Sequence, residues 1–506
     1  MNNMPTPMGY SHLVNRYSLR VLPLAQEASI ATDIKGREIR QQGGKHIALF
    51  EPKYQPEDSL KGHLQFALRY EGVNLQILTL LFAKTGKQDL TDWISNSPES
   101  RYARTACFLY EWLTGKSLQV QDPVPSRASY VKIADPALQL AFPHGEKHSR
   151  FRVQNNLPGT RNFCPLVRMT DYLQGMISAD LRRTTAMTLE RYDQDLLRRA
   201  AAYLYLKETQ SSFEVEREKP TPQKAQRFAD LLRQADTQEP LIMERLVKLQ
   251  QVVVDPRFHE FTWRKQQNWL GKDLGYRQQI DFVPPRPEDV PGLMTGLLAM
   301  AAEYQNLGNG RILSSPDPVI MAAAIAFGFI YIHPFMDGNG RIHRYLIHDV
   351  LAKAGFTPRG IVLPVSAVIL SNLDEYIATL EQFSKPVNQL TDFDPTQPEL
   401  SASGNDSVFF CYPDLTAQAE FLYKVLERTV AEDLQSEIDY LLGFDRAVKA
   451  LNAFLDWPAH SMELFIRVVR ENDGTLSANK RKSHFEWMRD EEIHEAERLV
   501  KDAFVK

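Results

Sequence analysis

The longest apolar run in the chain is residues 318–332, 15 residues without one charged side chain. A membrane-crossing helix takes about 20 such residues, so this run is too short to span a bilayer. A helix that is apolar all round is expected to be the buried centre of its domain. Helical spacing recurs in the N- and C-terminal stretches as well, so the chain is expected to be mainly α.

The run leads into residues 333–344, which read His-Pro-Phe-Met-Asp-Gly-Asn-Gly-Arg-Ile-His-Arg. Helical spacing resumes at Arg341 and closes at Gly355, so the motif is a loop between two helices. Gly338 and Gly340 flank Asn339 where the second helix begins, leaving backbone N–H groups uncrowded at a helix N-terminus, a place that favours an anion such as phosphate. Arg341 and Arg344 share a helix face and offer forked, permanently charged contacts to phosphate oxygens. Asp337 supplies a hard oxygen ligand for a Mg²⁺ ion bridging phosphates. His333 is placed to take a proton from an attacking hydroxyl. Together they describe phosphoryl or nucleotidyl transfer by positioning, charge neutralisation and one base, with no covalent enzyme intermediate.

These residues resemble the signature of Fic-domain proteins at every defined position. The resemblance implies transfer of AMP from ATP to a Ser, Thr or Tyr hydroxyl of a target protein, self-modification included. It implies His333 as base and Asp337 as Mg²⁺ ligand. Asn339 with the amides of Gly338 and Gly340 would hold the α- and β-phosphates, with Arg341 and Arg344 on the β and γ. Residues 308–311 repeat Gly-Asn-Gly-Arg without the histidine or the aspartate, and Gly308 there reads as a helix end.

Three further stretches resemble parts of the same family. A helix expected over 196–217 carries Ser212 and Glu216 in a pattern similar to the family's inhibitory motif, with Arg217 where Gly or Asn is usual. The resemblance implies that Glu216 pairs with Arg344 and misplaces the γ-phosphate; the alternative is that Glu214, Glu216 and Glu218 form a solvated acidic face. Residues 264–285 are similar to the family's flap, a β-hairpin in which Gln267, Asn268 and Trp269 would face a target backbone. Tyr376 is the candidate for the adenine, or else one member of an apolar stripe with Leu373, Leu380 and Phe383.

The chain divides into an N-terminal helical domain over 1–185, a catalytic domain over 186–385, a Pro- and Gly-containing linker over 386–412 with a short strand at 408–410, and a C-terminal domain over 413–506. The last resembles the winged-helix-like domains of long Fic proteins, with helix-turn-helix proportions between Met462 and Met488. Basic residues over 460–490 allow DNA contact, but a protein-interaction or homodimerisation role ranks ahead of it.

A net charge of −4 gives no global attraction to nucleic acid or to an anionic membrane. Three cysteines, Cys107, Cys164 and Cys411, are far apart, which points away from a disulfide framework and toward a cytoplasmic setting without membrane contact. Two other functions remain open: removal of AMP from a modified target by the same site, and a DNA-bound regulator whose Fic domain senses nucleotide.

Overall fold

The computed structural model describes residues 6–505 apart from 43–44, 236–238, 274–277, 309–314, 359, 398–399 and 405. Residues 309–311 and the tip of the flap hairpin therefore lie outside the described residues. The fold is mainly α, as expected.

The N-terminal region, expected to be mainly helical over 1–185, adds short strands to its helices. Strands β1 (Thr6–Met8), β2 (Gln26–Ile30), β3 (Arg37–Gln42) and β4 (Lys45–Phe50) form one sheet in the order β1-β2-β4-β3, with β2 and β4 parallel. Its strands are short, and the outer one, β3, carries a half-exposed Ile39 among charged residues. They lack the sustained alternation that marks a strand in sequence. Helices α1 (Gly9–Arg16) and α2 (Leu60–Tyr70) pack on this sheet, and α3 (Leu75–Lys84), α4 (Gln88–Asn96) and α5 (Arg101–Thr114) pack on those helices and on one another. Ser59, Asn74 and Ser100 cap α2, α3 and α5 with side-chain oxygens. A second small sheet, β5 (Val131–Lys132), β6 (Glu146–His148) and β7 (Val153–Asn155), follows.

Residues 157–167 tie this region to the rest. Phe163 is fully buried against the central helices, and a Cβ on Gly328 would meet its ring at 2.5 Å. Only a glycine fits the apolar helix there.

The central core gathers α6 (Asp171–Ala179), α7 (Leu181–Leu189), α8 (Gln194–Val215), α9 (Pro222–Arg233), α10 (Met243–Val253), α11 (Val290–Asn306), α12 (Pro318–Ile332), α13 (Asn339–Lys353), α14 (Val365–Ser371) and α15 (Leu373–Leu390). Helix α12 is the apolar run; all of it except Ile330 is buried. Gly308 follows α11 with φ of 82°, the left-handed residue expected at that helix end.

The stretch read as a linker is instead built into this core. Helix α15 runs through Pro386 to Leu390, a minimal pair of strands follows (β10, Asp392–Phe393, and β11, Ala402–Ser403), and residues 408–410 lie in a helix, α16 (Ser407–Cys411), rather than a strand. Phe409 and Phe410 are buried. The backbone then pairs with 164–166: Cys164 N–H donates to Cys411 O at 2.8 Å and Leu166 N–H to Pro413 O at 2.9 Å. Helix α17 (Thr416–Arg428) buries Phe421, Leu422 and Val425 in the same core as α12. The separate C-terminal core begins inside the long helix α18 (Leu434–Phe454), at Ala447, and includes α19 (Ala459–Glu471) and α21 (Asp490–Phe504).

Between α19 and α21 lies the short helix α20 (Ala478–His484), N-capped at Ser477 after a turn at Asp473 and Gly474. This keeps the helix-turn-helix proportions. Among the described residues no strand follows α20, so no wing is present. Arg470 lays its guanidinium over the rings of Phe504 and Tyr440, and Arg481 pairs with Asp490, so two of the basic residues serve this domain's own packing. No helix among the described residues is long and apolar enough to cross a membrane.

Candidate active site

The site is the junction of α12 and α13. His333 ends α12 in the left-handed conformation, φ 51°, which turns the chain out of the buried helix. Its Nδ1 lies 3.2 Å from the carbonyl of Ile330; a carbonyl only accepts, so Nδ1 carries the proton and Nε2 keeps a free lone pair. Burial pushes the imidazole pKa down to about 4, with the Arg264 guanidinium adding in the same direction. The ring is neutral near pH 7, as a base must be.

Arg264 is the residue that fixes the loop, and it is itself buried. Its backbone N–H donates to Pro334 O at 2.8 Å, its Nε to His333 O at 2.9 Å, and its other nitrogens to the carbonyls of Gln266 and Pro285. Phe335 anchors the loop from inside, packed on Trp263. Asn339 brackets the same residue, accepting from Phe335 N–H at 3.1 Å and donating to Phe335 O at 2.7 Å. The Asn339 side chain thereby holds the loop through its oxygen and one of its two N–H groups. Glu260 takes the N–H of Met336 at 2.8 Å.

Helix α13 starts at Asn339 with Gly338 as its left-handed N-cap, φ 89°. The first-turn amides of Asn339, Gly340 and Arg341 have no place in the helical ladder and mark the anion position. Asp337, half exposed, accepts from Gly338 N–H at 2.6 Å and pairs with Arg341 Nη2 at 3.2 Å through the same oxygen. Its other oxygen is left for a cation.

The anion position is covered by a carboxylate of the chain itself. Helix α8 ends at Glu216, whose Oε1 accepts from Arg344 Nη2 at 2.9 Å and whose Oε2 lies 3.0 Å from Arg341 Nε, off the N–H direction. Ser212, fully buried, takes Arg344 Nε on its hydroxyl at 2.9 Å and Nη2 on its carbonyl at 2.5 Å. A Cβ on Gly340 would sit 2.1 Å from Glu216 Oε1, so the carboxylate rests directly on the first turn of α13. Glu218 adds a second carboxylate, 2.9 Å from Arg341 Nη1, and is itself held by Lys224 at 2.9 Å. Glu216 and Glu218, partly exposed, are thus both paired with arginines of α13.

Arg217 has φ of 57°, the left-handed region that Gly and Asn enter readily and other side chains at a cost. That is the physical reason a Gly or Asn suits this position.

Tyr376, the candidate for the adenine, is buried. Its hydroxyl bonds with Arg344, and its ring lies 6.3 Å from that of His343 and 5.8 Å from that of Phe421. In the flap, β8 (Leu270–Asp273) and β9 (Gln278–Phe282) pair antiparallel. Gln267 and Asn268 are buried scaffold: Gln267 donates to Pro284 O at 3.1 Å and Asn268 to Phe335 O at 3.4 Å. Trp269 is half-buried. Asn388 on α15 fastens β9, accepting from Val283 N–H at 3.0 Å and donating to Asp281 O at 2.7 Å.

Two buried polar clusters had no signal in the sequence beyond a charged residue on an apolar helix face. Glu208 of α8, fully buried, meets His348 Nε2 of α13 at 2.7 Å and Ser366 N–H of α14 at 2.8 Å. Asp349 of α13 binds Arg245 of α10 and, at 3.0 Å, Lys353.

Residues 240–351 match the Fic/DOC family. The chain is similar to the protein adenylyltransferase Fic of Drosophila willistoni, 37% identical over 82 residues that cover 16% of this chain and 15% of that protein. It is similar also to that of Nematostella vectensis, 40% identical over 82 residues, 15% of this chain and 17% of that one. Among solved structures, a Fic family protein from Desulfovibrio desulfuricans G20 matches 65% of this chain and 84% of its own at 16% identity and TM-score 0.38. Fic-1 from C. elegans matches 76% and 94% at 15% identity and TM-score 0.31. The match to the Fic/DOC family is confined to residues 240–351, and the part aligned with the first of these relatives spans about 15% of that protein's length.

Proposed function

We propose that this chain is a protein adenylyltransferase that rests in a self-inhibited state. The observation that carries the reading is a fixed, neutral imidazole at His333 beside a helix start whose anion position and two arginines are taken by the chain's own Glu216. The relatives' name, protein adenylyltransferase, supports the same chemistry.

In the reaction, a Ser, Thr or Tyr hydroxyl of a target protein attacks the α-phosphorus of ATP. The bond from that phosphorus to the bridging oxygen of the β-phosphate breaks, pyrophosphate leaves, and the hydroxyl proton passes to His333 Nε2. The amides of Asn339, Gly340 and Arg341 hold phosphate oxygens, and Arg341 and Arg344, once free of Glu216, neutralise the outer phosphates. Asp337 is the residue that would hold Mg²⁺, an ion that takes one or two carboxylates plus substrate phosphates and would offset charge on the leaving group. The open edge of β8 is suited to pair with the target's backbone, which positions a hydroxyl with little demand on sequence.

Glu216 opposes this by occupying Arg344 and the first turn of α13. A γ-phosphate without its arginine leaves ATP in a pose that is not in line for attack.

The nature of the transfer is tested by incubating the chain with a cell extract and ATP labelled on either the α- or the γ-phosphate. Protein-bound label from the α position alone is expected. Label from the γ position would make the enzyme a kinase and overturn the reading.

A further inference from the structure

Far from the Fic site in sequence, the N-terminal region holds a group of side chains that its own packing does not explain. His12 on α1, His63 on α2 and Asp58 just ahead of α2 each offer a ligand atom within 4.8 Å of the others. The two imidazoles are stacked, centroids 3.5 Å apart and planes 5° from parallel. His63 is 5% exposed. His12 Nε2 and His63 Nδ1 are both buried without a hydrogen-bond partner. Asp58 Oδ1 lies 3.4 Å from His12 Nε2 and 3.9 Å from His63 Nε2, and its side chain is 81% exposed. Its one close partner is Arg16 Nη1, at 3.0 Å.

A buried ring nitrogen without a partner is costly, and one of the two here, His12 Nε2, is the nitrogen nearest Asp58. Two charged imidazoles would repel at this spacing, so the rings stack as neutral groups; their lone pairs lie in the ring planes and run side by side, so one ring must turn for both to meet one ion. Tetrahedral zinc has bonds of about 2.0–2.1 Å to nitrogen and oxygen, which sets ligand-to-ligand separations near ~3.4 Å. The His12–Asp58 separation already has that value, and the His63–Asp58 separation needs a closing movement of the exposed Asp58 side chain.

We propose that His12, Asp58 and His63 form a site for a divalent transition metal, Zn²⁺ by ligand preference. Two imidazoles and one carboxylate suit zinc better than Mg²⁺ or Ca²⁺, which take oxygen ligands. Three protein ligands leave a fourth position to water. The ion clamps α1 to the start of α2 and stabilises the N-terminal region, independently of AMP transfer. Arg16 competes with the metal for Asp58; it is 43% exposed and can swing into solvent.

The test uses the full chain, without an affinity tag and stripped by a chelator, titrated with Zn²⁺ by calorimetry and with Co²⁺ by its visible absorption. A single saturable site with a rise in Tm on loading is expected. Asp58→Asn and His12→Gln each lose the saturable site and the Tm rise while AMP transfer is unchanged, and Arg16→Ala binds more tightly than the parent chain. Asp58 is exposed, so its substitution leaves the fold intact and keeps the test decisive. Absence of saturable binding in the parent chain, or binding unaltered in both ligand variants, would overturn the proposal and leave a stacked histidine pair.

Discussion

Glu218 Oε2 lies 2.9 Å from Arg341 Nη1, so the first arginine of the Fic motif is held by a carboxylate two residues beyond the one that holds Arg344. Lys224 fixes Glu218 from the other side. The residues that follow α8 therefore grip both arginines, and removing Glu216 alone leaves Arg341 engaged.

From this double grip, the Glu216→Gly, Glu218→Ala pair is expected to transfer AMP faster than Glu216→Gly alone, by severalfold. Loss of one partly exposed charge pair amounts to about 1 kcal/mol, close to a factor of five. Initial rates of label incorporation check it, and equal rates would show that Glu218 has no part in the restraint.

Arg217→Gly is expected to stabilise the chain by about 1 kcal/mol, because glycine enters the left-handed region without the steric cost that arginine bears there. Arg217 is exposed, so little packing is lost. Denaturant midpoints measure the gain, and a lower midpoint would contradict the backbone argument.

The pH dependence follows from His333. Its pKa falls from the usual 6.5 to about 4 in the folded chain because burial disfavours the charged ring. Between those values the unfolded chain binds a proton that the folded one does not, so this group's contribution to stability falls as pH drops from about 6.5 and levels below about 4. For the base itself, kcat/KM of the Glu216→Gly enzyme is expected to show no His333 limb near pH 6.5. A limb there that vanishes when His333 is substituted would contradict the buried, neutral base.

Asn339→Ala tests the distinction between holding the loop and binding phosphate. Two hydrogen bonds to Phe335 are lost, a destabilisation of about 1–3 kcal/mol, and His333 loses part of its support. The expected kinetic signature is a lower kcat with KM for ATP little changed. A rise in KM for ATP alone would return Asn339 to the phosphates.

The contiguous part of the site was legible in the sequence because its chemistry is local: a base, a turn, amides and two arginines within one loop and one helical turn. The pairing of Glu216 with Arg344 was legible only through the resemblance, since nothing in residues 212–217 taken alone separates a carboxylate held by an arginine from a solvated one. Arg264, Glu208 and Glu218 act through partners more than 60 residues away, such as His333 for Arg264 and His348 for Glu208, and no periodicity reports that. Over 386–412 the prolines and the glycine read in sequence as breaks, whereas Pro386 sits inside α15 and Phe409 and Phe410 are core residues. The N-terminal sheet escaped because β3 has no apolar alternation.

The central claim is that Glu216 restrains a competent adenylyltransferase, and it is tested most directly by the rate of α-phosphate label transfer to protein in the parent chain, in Glu216→Gly, and in Glu216→Gly with His333→Ala. Glu216→Gly is expected to run at least about tenfold faster than the parent, the equivalent of roughly 1.4 kcal/mol, and the added His333→Ala to abolish the transfer. Equal rates in the parent chain and in Glu216→Gly would contradict the account.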